Sequence, residues 1–470
     1  MYILNQGGAP LYEQLYAALK NDIERGRFQV GEKLPSKRRI AQACGVSVIT
    51  AETAYAQLAA EGYIASRQRS GYFVQAAPAQ KLQATPKEAT DRSDEKRQEP
   101  IRFDFKTNTV DSGCFPFALW AKLLRSALSA GDSSILEHAD ARGICVLRKA
   151  IAEYLYEFRG ISASPEQILV CAGSEVQMNL LVQLLGRDAV YNMESPGYPK
   201  LQKLLYMSGA LLQTVSVDQE GIEVAKLSAA EKAVAHVTPA HHFPLGIVMP
   251  IGRRQALLEW ANRFPERYII EDDYDSEFRF ASRPIPALKG MDVHDKVIYM
   301  NTFTKSIAPS MRISYMVLPE ALLQRYQKEL SFYACTVPNL EQYALAEFIR
   351  SGGFQRHINR MRSRYKARRD ALFNALHNSR LHECIAVSGV EAGMHLLLSV
   401  KNGMNEQQLV ETAYEQGVRV YGLSDYYGDE REQCPAAAVI LGYCGIHTSQ
   451  ISEAVQALEK AWVIERGKEK

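Results

Sequence analysis

The chain has 470 residues, more than one hydrophobic core usually serves, and domains of roughly 100–200 residues predict two or three of them. Its 55 Lys and Arg residues against 53 Asp and Glu residues leave a net charge of +2, which excludes a uniformly basic nucleic-acid coat and an acidic disordered chain. No apolar run approaches the roughly 18 residues of a membrane span, and the start lacks the regions of a signal peptide. We therefore expect a soluble, cytoplasmic protein with no membrane contact.

Eight cysteines are scattered along the chain without a CxxC pair. In a chain of this length, that distribution is typical of reduced, mostly buried thiols rather than of a disulfide framework. His241, His242 and His447 show no metal-ligand spacing with cysteines or carboxylates, so we predict no metal site.

Charge is distributed unevenly along the chain. Residues 1–77 carry nine Lys and Arg against six Asp and Glu, a net charge of +3. Residues 78–100 contain three prolines and, as a large aliphatic, only Leu82, so they cannot bury a core and predict a flexible linker. Helix and strand patterns resume after Ile101. The sequence therefore predicts a small basic domain over 1–77, a linker over 78–100, and a larger domain over 101–470.

The basic domain contains three helical segments followed by two short apolar runs. In the first helix, apolar residues recur at helical spacing before a stop signal at Gly26: Leu11, Leu15, Leu19 and Ile23. Ser36 can cap a second helix that runs to about Cys44. A turn, a third helix and two strands around a basic tip then follow, over residues 45–47, 48–61, 62–65 and 71–74 with the tip at 67–69. Three helices and a basic hairpin are typical of a winged helix-turn-helix domain, which places one helix in the DNA major groove.

This domain resembles the GntR family of bacterial regulators in five segments, residues 33–38, 45–47, 54–58, 61–64 and 71–74. Two positions depart from the family pattern. Val48 stands where an Arg usually follows the turn serine, and Arg39 replaces the Glu of a capping box. A cation near a helix N-terminus is unfavourable unless a phosphate lies opposite it, although a solvated basic face would also explain Arg39. The predicted DNA-binding residues are Ser36, Lys37, Arg38, Arg39, Ser47, Thr50, Arg67 and Arg69.

The larger domain contains five short, β-rich apolar runs, and each ends in small or polar residues: 168–171, 189–191, 233–237, 268–270 and 297–300. Strands that alternate with helical stretches predict an α/β fold with a mostly parallel, helix-covered sheet. In such sheets ligands bind beyond the carboxyl ends of the strands, where all of these polar clusters lie. The sequence therefore predicts a ligand site at this edge of the sheet.

The segment Thr302 to Ser306, with Arg312 seven residues after Lys305, resembles the lysine motif of fold-type I aminotransferases. The similarity extends over roughly residues 101–465 and includes the smaller C-terminal lobe of that fold. It implies pyridoxal 5′-phosphate (PLP) as cofactor and Lys305 as the catalytic residue that forms a Schiff base with it. It also implies that Thr302 and Arg312 bind the phosphate with a helix start at Gly173, Ser174 and Glu175.

The same resemblance assigns three residues to the cofactor ring. Asp272 would pair with the pyridinium nitrogen, Tyr274 would approach the ring hydroxyl, and Tyr198 would stack on the ring face. Each residue by itself has an ordinary alternative: a surface lysine after a strand, an Asp pair at a turn, or a packed loop tyrosine. Their occurrence together in one chain order favours the cofactor site.

A GntR-like winged helix joined to an aminotransferase-like domain is the architecture of the MocR/GabR family. Matching segments include residues 271–278, 312–319 and 238–244. The resemblance implies a transcription regulator that binds a double-stranded DNA operator and forms a head-to-tail homodimer. It also implies that the effector domain keeps the cofactor site without productive turnover, although a residual transaminase half-reaction is compatible with it.

Several departures concern the binding of a substrate carboxylate. Ala436 or Cys434 stands where the family places an arginine, Lys200 replaces a second arginine, and His242-Phe243 replaces the usual amide side chains. Loss of a bidentate guanidinium weakens carboxylate recognition and argues against a simple amino-acid substrate. Other cationic side chains that offer a substitute anchor are Lys200, Arg279, Arg283 and His138.

These departures leave two effectors and one alternative function open. PLP itself is the signal in the PdxR-type regulators of vitamin B6 synthesis in this family, and an amino compound held by another anchor is the second effector. The alternative function is an active PLP-dependent aminotransferase with an autoregulatory DNA-binding module.

A further basic stretch, residues 356–369, predicts a long helix with seven Lys and Arg side chains. Its ordinary interpretation is a solvated helix face that links two lobes. The alternative is a phosphate track for DNA that bends around the dimer.

Overall fold

A computed structural model describes residues 2, 4–5, 9–75, 101–107, 109–129, 133–280 and 285–463. The chain forms two compact units, Met1–Lys96 and Arg97–Lys470. The predicted linker over 78–100 and Arg283 lie outside the described residues.

The first unit has the predicted winged helix-turn-helix fold. Its elements are α1 (Leu11–Glu24), α2 (Lys37–Cys44), α3 (Val48–Ala60), β1 (Ile64–Arg67) and β2 (Gly71–Val74). The two strands pair antiparallel, with Ile64 opposite Val74. The spacing of apolar residues makes one face of each helix buried, and the domain core includes Leu15, Leu19, Ile40 and Leu58.

Short polar side chains fix the starts of α2 and α3. Ser36 Oγ accepts the Arg39 N–H at 3.3 Å, which confirms the predicted cap, and Ser47 Oγ accepts the Thr50 N–H at 3.0 Å. Gly45 ends α2 at φ 65°, a left-handed conformation that favours glycine. These caps define the sharp turn that sets α3 against α2.

The second unit alternates strands and helices. Its first half contains β3 (Phe103–Asp104), α4 (Phe117–Ser129), α5 (Cys145–Arg159), β4 (Ile168–Cys171), α6 (Ser174–Leu185), β5 (Val190–Ser195), α7 (Pro199–Met207), β6 (Leu211–Asp218), β7 (Gly221–Ile222), β8 (Ala233–Val237), α8 (Ile251–Asn262) and β9 (Arg267–Asp272). Its second half contains β10 (Val297–Thr302), α9 (Phe303–Ser306), β11 (Ser314–Val317), α10 (Glu320–Glu329), α11 (Asn339–Arg350), α12 (Gly353–His377), β12 (Ile385–Ser388), β13 (His395–Val400), α13 (Glu406–Glu415), β14 (Val418–Arg419), β15 (Tyr421–Gly422), β16 (Ala438–Gly442) and α14 (Thr448–Trp462).

The main sheet has eight strands in the order β4-β11-β10-β9-β8-β5-β6-β7. The pairs from β10 to β6 are parallel, whereas β11 runs antiparallel to both β10 and β4, and β7 runs antiparallel to β6. The prediction of a mostly parallel sheet is therefore confirmed. All five predicted strands are present, and the carboxyl ends of β5, β8, β9 and β10 meet at one edge.

Helices cover both faces of this sheet. Alternate residues of β10 point to opposite sides, so Tyr299 packs with residues of α4, α5 and α11, whereas Met300 packs with residues of α6, α7 and α10. Both faces are buried, which explains why the central strands are continuously apolar. Among the described residues, no helix is both long enough and apolar enough to cross a membrane.

The smaller C-terminal lobe is built on a four-stranded antiparallel sheet in the order β12-β13-β16-β15. Residues of α12, α13 and α14 pack on this sheet in one core that includes Tyr365, Leu409 and Trp462. The two-stranded pair of β3 and β14 joins the start of the second unit to this lobe.

All eight cysteines are free thiols, in agreement with the absence of a disulfide framework. The expectation that most are buried is wrong. Cys171 and Cys444 are buried, Cys145 is exposed, and the other five are half-buried. These five lie on elements that border solvent, where a small apolar side chain needs no full burial.

Candidate functional site

One pocket lies at the carboxyl ends of β5, β8, β9 and β10, the edge that the sequence predicts. Eight of the nine residues assigned to the cofactor line it: Ser174, Glu175, Tyr198, Asp272, Tyr274, Thr302, Lys305 and Arg312. They come from five separate stretches of the chain that the parallel strands bring to one edge. The structure therefore brings this predicted set together.

Gly173, the ninth residue, lies directly behind the pocket at the N-cap of α6. Its φ of 101° favours glycine, and a Cβ at this position would overlap the Arg312 guanidinium. The Gly173 N–H donates to Ser314 Oγ at 3.0 Å, and Ser314 Oγ donates to the Cys171 carbonyl at 3.1 Å. The Gly173 amide is thus engaged at the sheet edge, which leaves the start of α6 at Ser174 and Glu175 to face the pocket.

Lys305 lies in α9, the short helix that follows β10 directly. Thr302 caps this helix by accepting the Thr304 N–H at 3.2 Å, and so fixes where Lys305 projects. Burial lowers the pKa of the Lys305 amine to about 8, against the opposing effect of Asp275 and Asp272. A pKa near 8 leaves about a tenth of the amine neutral at pH 7, the form that attacks an aldehyde.

A chain of polar side chains surrounds the ends of β8 and β9. His236 Nε2 lies 3.5 Å from Asp272 Oδ2, and Tyr274 Oη lies 3.1 Å from His241 Nδ1. His241 Nδ1 also lies 2.9 Å from the buried carboxylate of Asp275. Burial, together with Asp275 and Asp272, raises the pKa of Tyr274 well above its ordinary value, so the phenol stays protonated at neutral pH.

Two cations and one carboxylate meet at the start of α6. Glu175 Oε2 lies 2.6 Å from Arg312 Nη2, and Glu175 Oε1 accepts a hydrogen bond from Lys200 Nζ. Burial raises the pKa of Glu175, but the hydrogen bonds from Lys200 and Arg312 outweigh it and hold the pKa at about 2. Glu175 is therefore ionised at neutral pH and orients both cations towards the pocket.

Aromatic rings form another part of the pocket wall. Phe243 makes edge-to-face contacts with Tyr198, Tyr274 and Tyr426, at centroid distances of 6.0, 5.9 and 5.1 Å. Tyr426 belongs to the segment after β15, and its carbonyl accepts the Gly197 N–H at 2.9 Å. Phe243 therefore joins the rings of Tyr198 and Tyr274 to the smaller lobe.

A carboxylate of the smaller lobe also reaches the main sheet near this wall. Glu430 accepts hydrogen bonds from Ser195 Oγ and Thr214 Oγ1, both at 2.6 Å. Ser195 ends β5 and Thr214 lies in β6, so this carboxylate ties the segment that carries Tyr426 to the strands beside the pocket.

The proposed substitute anchors lie in different places. Lys200 lines the pocket, whereas His138 borders a separate cavity and Arg279 lies 3.9 Å from Glu391. Ala436 is exposed and Cys434 packs near Glu406, so neither contributes a cation to the pocket. Lys200 is thus the anchor that the described part of the chain places best.

Several pocket residues were not assigned from the sequence: Gln177, Met193, Glu194, His236, Thr238, Asn301 and Thr304. Glu194 is the most unusual, because burial raises the pKa of its carboxyl to about 7 although the Thr238 hydroxyl donates to it at 2.8 Å. Most of them follow or end the same predicted strands, so their position was the available signal. Within the described ranges, no group of three or more His, Cys, Asp or Glu side chains is placed to hold a metal ion.

The predicted DNA-binding residues of the first unit divide into two groups. Ser36, Ser47 and Thr50 lie at the caps of α2 and α3, and Lys37 is half-buried in an ion pair with Glu52. The remaining four are exposed cations on α2 and the hairpin: Arg38, Arg39, Arg67 and Arg69.

The basic helix α12 uses most of its cations within its own unit. Arg368 is buried and lies 2.6 Å from Asp111, and Arg362 donates to the Glu277 carbonyl at 3.0 Å. Arg369 donates to the Val390 carbonyl, and Arg364 donates to the Gly113 carbonyl at 3.2 Å. These contacts argue against a continuous phosphate track, and they also show that the face is partly buried rather than solvated as its ordinary interpretation expected.

Comparison with protein families gives two matches along the chain. Residues 11–74 match the gntR family of bacterial regulatory proteins. Residues 101–436 match the class I and II aminotransferases. The pocket around Lys305 lies entirely within the second match.

Full-length relatives combine the same two parts. The chain is 39% identical to the HTH-type transcriptional regulator YdeL of Bacillus subtilis (strain 168), over 97% of each chain. It is 33% identical to the probable rhizopine catabolism regulatory protein MocR of Rhizobium meliloti, over 97% of this chain and 94% of that one. It is 29% identical to the pyridoxine biosynthesis regulator PdxR of Corynebacterium glutamicum, over 88% of each chain.

Solved structures match the second unit. A kynurenine aminotransferase of Pyrococcus horikoshii superposes with a TM-score of 0.67 at 22% identity, over 77% of this chain and 91% of that one. At this identity the similarity establishes the fold.

Proposed function

The chain belongs to the MocR family of transcription regulators, which join a GntR-type winged helix to an aminotransferase-like domain, and from this premise we propose that occupancy of the Lys305 pocket controls its binding to operator DNA. The observation that carries the proposal is the coexistence of two sites in one chain. One is a DNA-binding fold with exposed cations, and the other is a pocket with a buried amine, a carboxylate and a guanidinium.

The residues of the pocket fit PLP, the cofactor that the class I and II aminotransferase fold supports. A guanidinium beside a helix start suits a phosphate, and the close approach of Arg312 to Gly173 leaves no room for a Cβ there. Asp272 with His236 behind it suits a protonated ring nitrogen. When bound, PLP supplies an aldehyde that an amine captures and a ring that withdraws electrons.

We propose the following roles for individual residues of the pocket. Lys305 would hold the cofactor covalently through a Schiff base, since burial keeps part of its amine neutral. Arg312 and Thr302 would bind the phosphate, and the ion pair with Glu175 would orient Arg312 for it. The Tyr274 phenol, held by His241, donates to the ring hydroxyl oxygen.

Three further contacts complete the proposed cofactor site. Tyr198, which Phe243 supports edge-on, stacks on the ring face. Ser174 and the helix dipole of α6 add to the phosphate site. Asp272 keeps the ring nitrogen protonated, a role that the adjacent His236 supports.

We propose PLP itself as the effector, with control of vitamin B6 metabolism genes as the consequence. The aromatic wall and the absence of a second arginine among the described pocket residues support this choice, because an amino-acid carboxylate would lack its bidentate partner. The similarity to the pyridoxine biosynthesis regulator PdxR agrees with it. An amino compound anchored on Lys200, in control of amino-acid metabolism, is the second effector hypothesis.

Titration of cofactor-free protein with PLP, while its affinity for a selected operator duplex is followed, tests the effector. We expect operator affinity to change as PLP is added. If PLP leaves the operator affinity unchanged and one member of a panel of amino acids changes it, the effector is an amino compound and not PLP. An operator affinity that neither PLP nor any of the amino acids changes would contradict the proposed coupling between the pocket and DNA binding.

We further propose a head-to-tail homodimer that acts in the cytoplasm, where the chromosome lies. Both the GntR-type fold and the aminotransferase fold support a dimer, since operators with two half-sites match a two-fold protein. Mixed dimers give the test of orientation. One subunit carries Lys305→Ala and the other lacks residues 1–77. A head-to-tail arrangement predicts that PLP in the intact pocket changes the DNA affinity of the partner's winged helix, and a mixed dimer that does not respond to PLP would contradict it.

The pocket itself favours one alternative, an active aminotransferase with an autoregulatory DNA-binding module. Its amine, carboxylate and phosphate site are the parts that transamination requires. We propose that productive turnover is absent, because the carboxylate clamp is missing, and that a half-reaction is the most that remains. Steady conversion of an amino donor and a keto acid, abolished in Lys305→Ala, would establish the alternative instead.

A further inference from the structure

The helix α3, which a winged helix-turn-helix domain places in the major groove, contains no basic residue. Its sequence from Val48 to Ala60 carries one carboxylate, Glu52, and neither Lys nor Arg. Arginine or lysine bound to guanine is the commonest specific contact in the major groove, and this helix cannot make it. Base recognition by this helix therefore rests on other side chains.

The polar side chains of α3 are engaged within the first unit. The Thr53 hydroxyl donates to the Ile49 carbonyl at 3.0 Å, and the Thr50 hydroxyl lies 2.8 Å from Ser47 Oγ. The other three form the pairs Glu52–Lys37, Tyr55–Pro35 and Gln57–Glu61. Most polar side chains of α3 would therefore have to break a contact within the unit before they could bind a base edge.

Apolar groups are exposed in the first turn of α3, whereas Glu52 and Thr53 are the exposed polar residues of the next turn. Ile49 is 75% exposed and Val48 is 45% exposed, both in the first turn of α3, and Ala56 continues the same face two turns later. In helix-turn-helix proteins, the N-terminal residues of the recognition helix contact base edges. The first turn of this helix is thus apolar at the point where bases are read.

The exposed charge of the same unit favours duplex DNA as the group that covers this turn. The exposed cations Arg38 and Arg39 lie on α2, and Arg67 and Arg69 lie on the hairpin, so the unit that carries the apolar turn also carries side chains that suit phosphates. A protein partner with an apolar patch would leave these four cations without a counterpart. Duplex DNA offers both a phosphate backbone and one apolar group in its major groove, the thymine 5-methyl.

We propose that Val48 and Ile49, with Ala56, read thymine methyl groups, so that each operator half-site carries A·T pairs where α3 begins. This inference rests on the proposed function and adds the base chemistry that the DNA-binding domain recognises. Covering one thymine methyl is worth about fourfold in affinity, the value of one buried methylene-sized group. Two covered methyl groups in a half-site give about 15-fold by the same reasoning.

The test uses full-length protein and a random duplex library, from which bound sequences are enriched over repeated rounds. Enriched sites are then synthesised with deoxyuridine in place of thymidine, one position at a time, which removes the methyl and keeps the base pairing. We expect about a fourfold loss of affinity at one or more thymidines in each half-site. Enriched sites that tolerate every such replacement without loss would overturn the proposal.

Three variants show whether α3 is responsible. Ile49→Ala should reduce the ratio of thymidine to deoxyuridine affinity towards one, whereas Val30→Ala should keep it. Val30 is a matched control, because it is 65% exposed in the same unit and lies outside α3. Val48→Arg supplies a guanidinium and should shift the enriched base at its position towards guanine.

Two results separate this proposal from the proposed function. The first result is that folded Ile49→Ala keeps the wild-type ratio of thymidine to deoxyuridine affinity and that Val48→Arg enriches the same bases as the wild type. This result would overturn methyl recognition but leave the proposal of DNA binding intact. A protein that binds no duplex in the library would overturn the regulator proposal and methyl recognition with it. Thermal unfolding of each variant checks that the substitutions leave the domain folded.

Discussion

The two units of this chain use charge in opposite ways. In the winged helix the cations Arg38, Arg39, Arg67 and Arg69 are exposed, and the first turn of α3 exposes the apolar side chains of Val48 and Ile49. In the aminotransferase-like unit the chemistry lies in a pocket, where burial lowers the pKa of Lys305 to about 8 and carboxylates hold the cations in place. The first arrangement suits a large polyanion, and the second suits a small reactive molecule.

This difference explains why a near-neutral chain can bind DNA. Exposed cations contribute through phosphate contacts that salt weakens, because counterions are released on binding. Buried ionisable groups contribute through desolvation and directed hydrogen bonds, which salt affects little. The two units should therefore respond differently to substitution, to pH and to ionic strength.

Removal of the pocket amine is expected to have the largest effect. Lys305→Ala leaves no side-chain amine at the end of α9 to bond the cofactor, so the purified protein should lose the PLP that borohydride reduction fixes covalently to the wild type. Binding of the winged helix to random duplex should remain within about twofold of the wild type, since its phosphate contacts are untouched. A pyridoxyl group that borohydride reduction still fixes to the denatured variant would show that Lys305 is not the attachment point.

Removal of the guanidinium beside Gly173 should weaken the pocket without abolishing it. Arg312→Ala removes a charge-assisted contact worth about 1.5–3 kcal/mol, which is about a 13- to 160-fold loss of PLP affinity. Arg360→Ala is the control, because Arg360 is an exposed arginine of α12 that does not line the pocket. Equal affinities for both variants, measured by fluorescence titration, would place the phosphate elsewhere.

The pH dependence of cofactor capture should distinguish the buried amine from a surface lysine. Because the lowered pKa of Lys305 is about 8, the neutral fraction of its amine rises about fivefold between pH 7 and pH 8 and then levels off above pH 9. Stopped-flow measurement of PLP binding to cofactor-free protein should follow this curve. A rate that keeps rising about tenfold per pH unit to pH 10 would indicate an ordinary, solvated lysine.

The salt dependence of DNA affinity should distinguish the exposed cations of α2 from those of α12. Arg38→Ala with Arg39→Ala removes two expected phosphate contacts, so the slope of log affinity against log salt should become shallower by about two. The paired control, Arg360→Ala with Lys366→Ala, removes two exposed cations of α12 and should leave the slope unchanged. An unchanged slope in the first pair would remove α2 from the interface, and a shallower slope in the second would support a phosphate track on α12.

Local patterns in the sequence predicted much of the fold. The five central strands were visible as short apolar runs, and Ser36 marked the start of α2, because hydrophobic periodicity and capping act over a few residues. The direction of the strand β11 was not predictable. Its run Ser314–Val317 is buried on both faces, and such a run does not show whether the neighbouring strands are parallel or antiparallel to it. Its antiparallel pairing with β10 and β4 is set by distant neighbours.

The candidate site was predictable to a similar extent. The ends of the parallel strands predicted the edge at which the pocket lies, and the resemblance to aminotransferases supplied the individual residues, eight of which line it. The contacts between them were not predictable, since Glu175 and Arg312 are 137 residues apart and Ser195 and Glu430 are 235 apart. Such pairs depend on how the elements pack, and no local pattern encodes them.

The most direct test of the coupling between the two units is the operator affinity of full-length protein with and without PLP, in the wild type and in Lys305→Ala. The duplex is one enriched by the protein itself, and binding is followed at constant salt. We predict that PLP changes the affinity of the wild type and leaves that of Lys305→Ala unchanged. Equal affinities in all four measurements, with no response to any amino compound, would contradict the account.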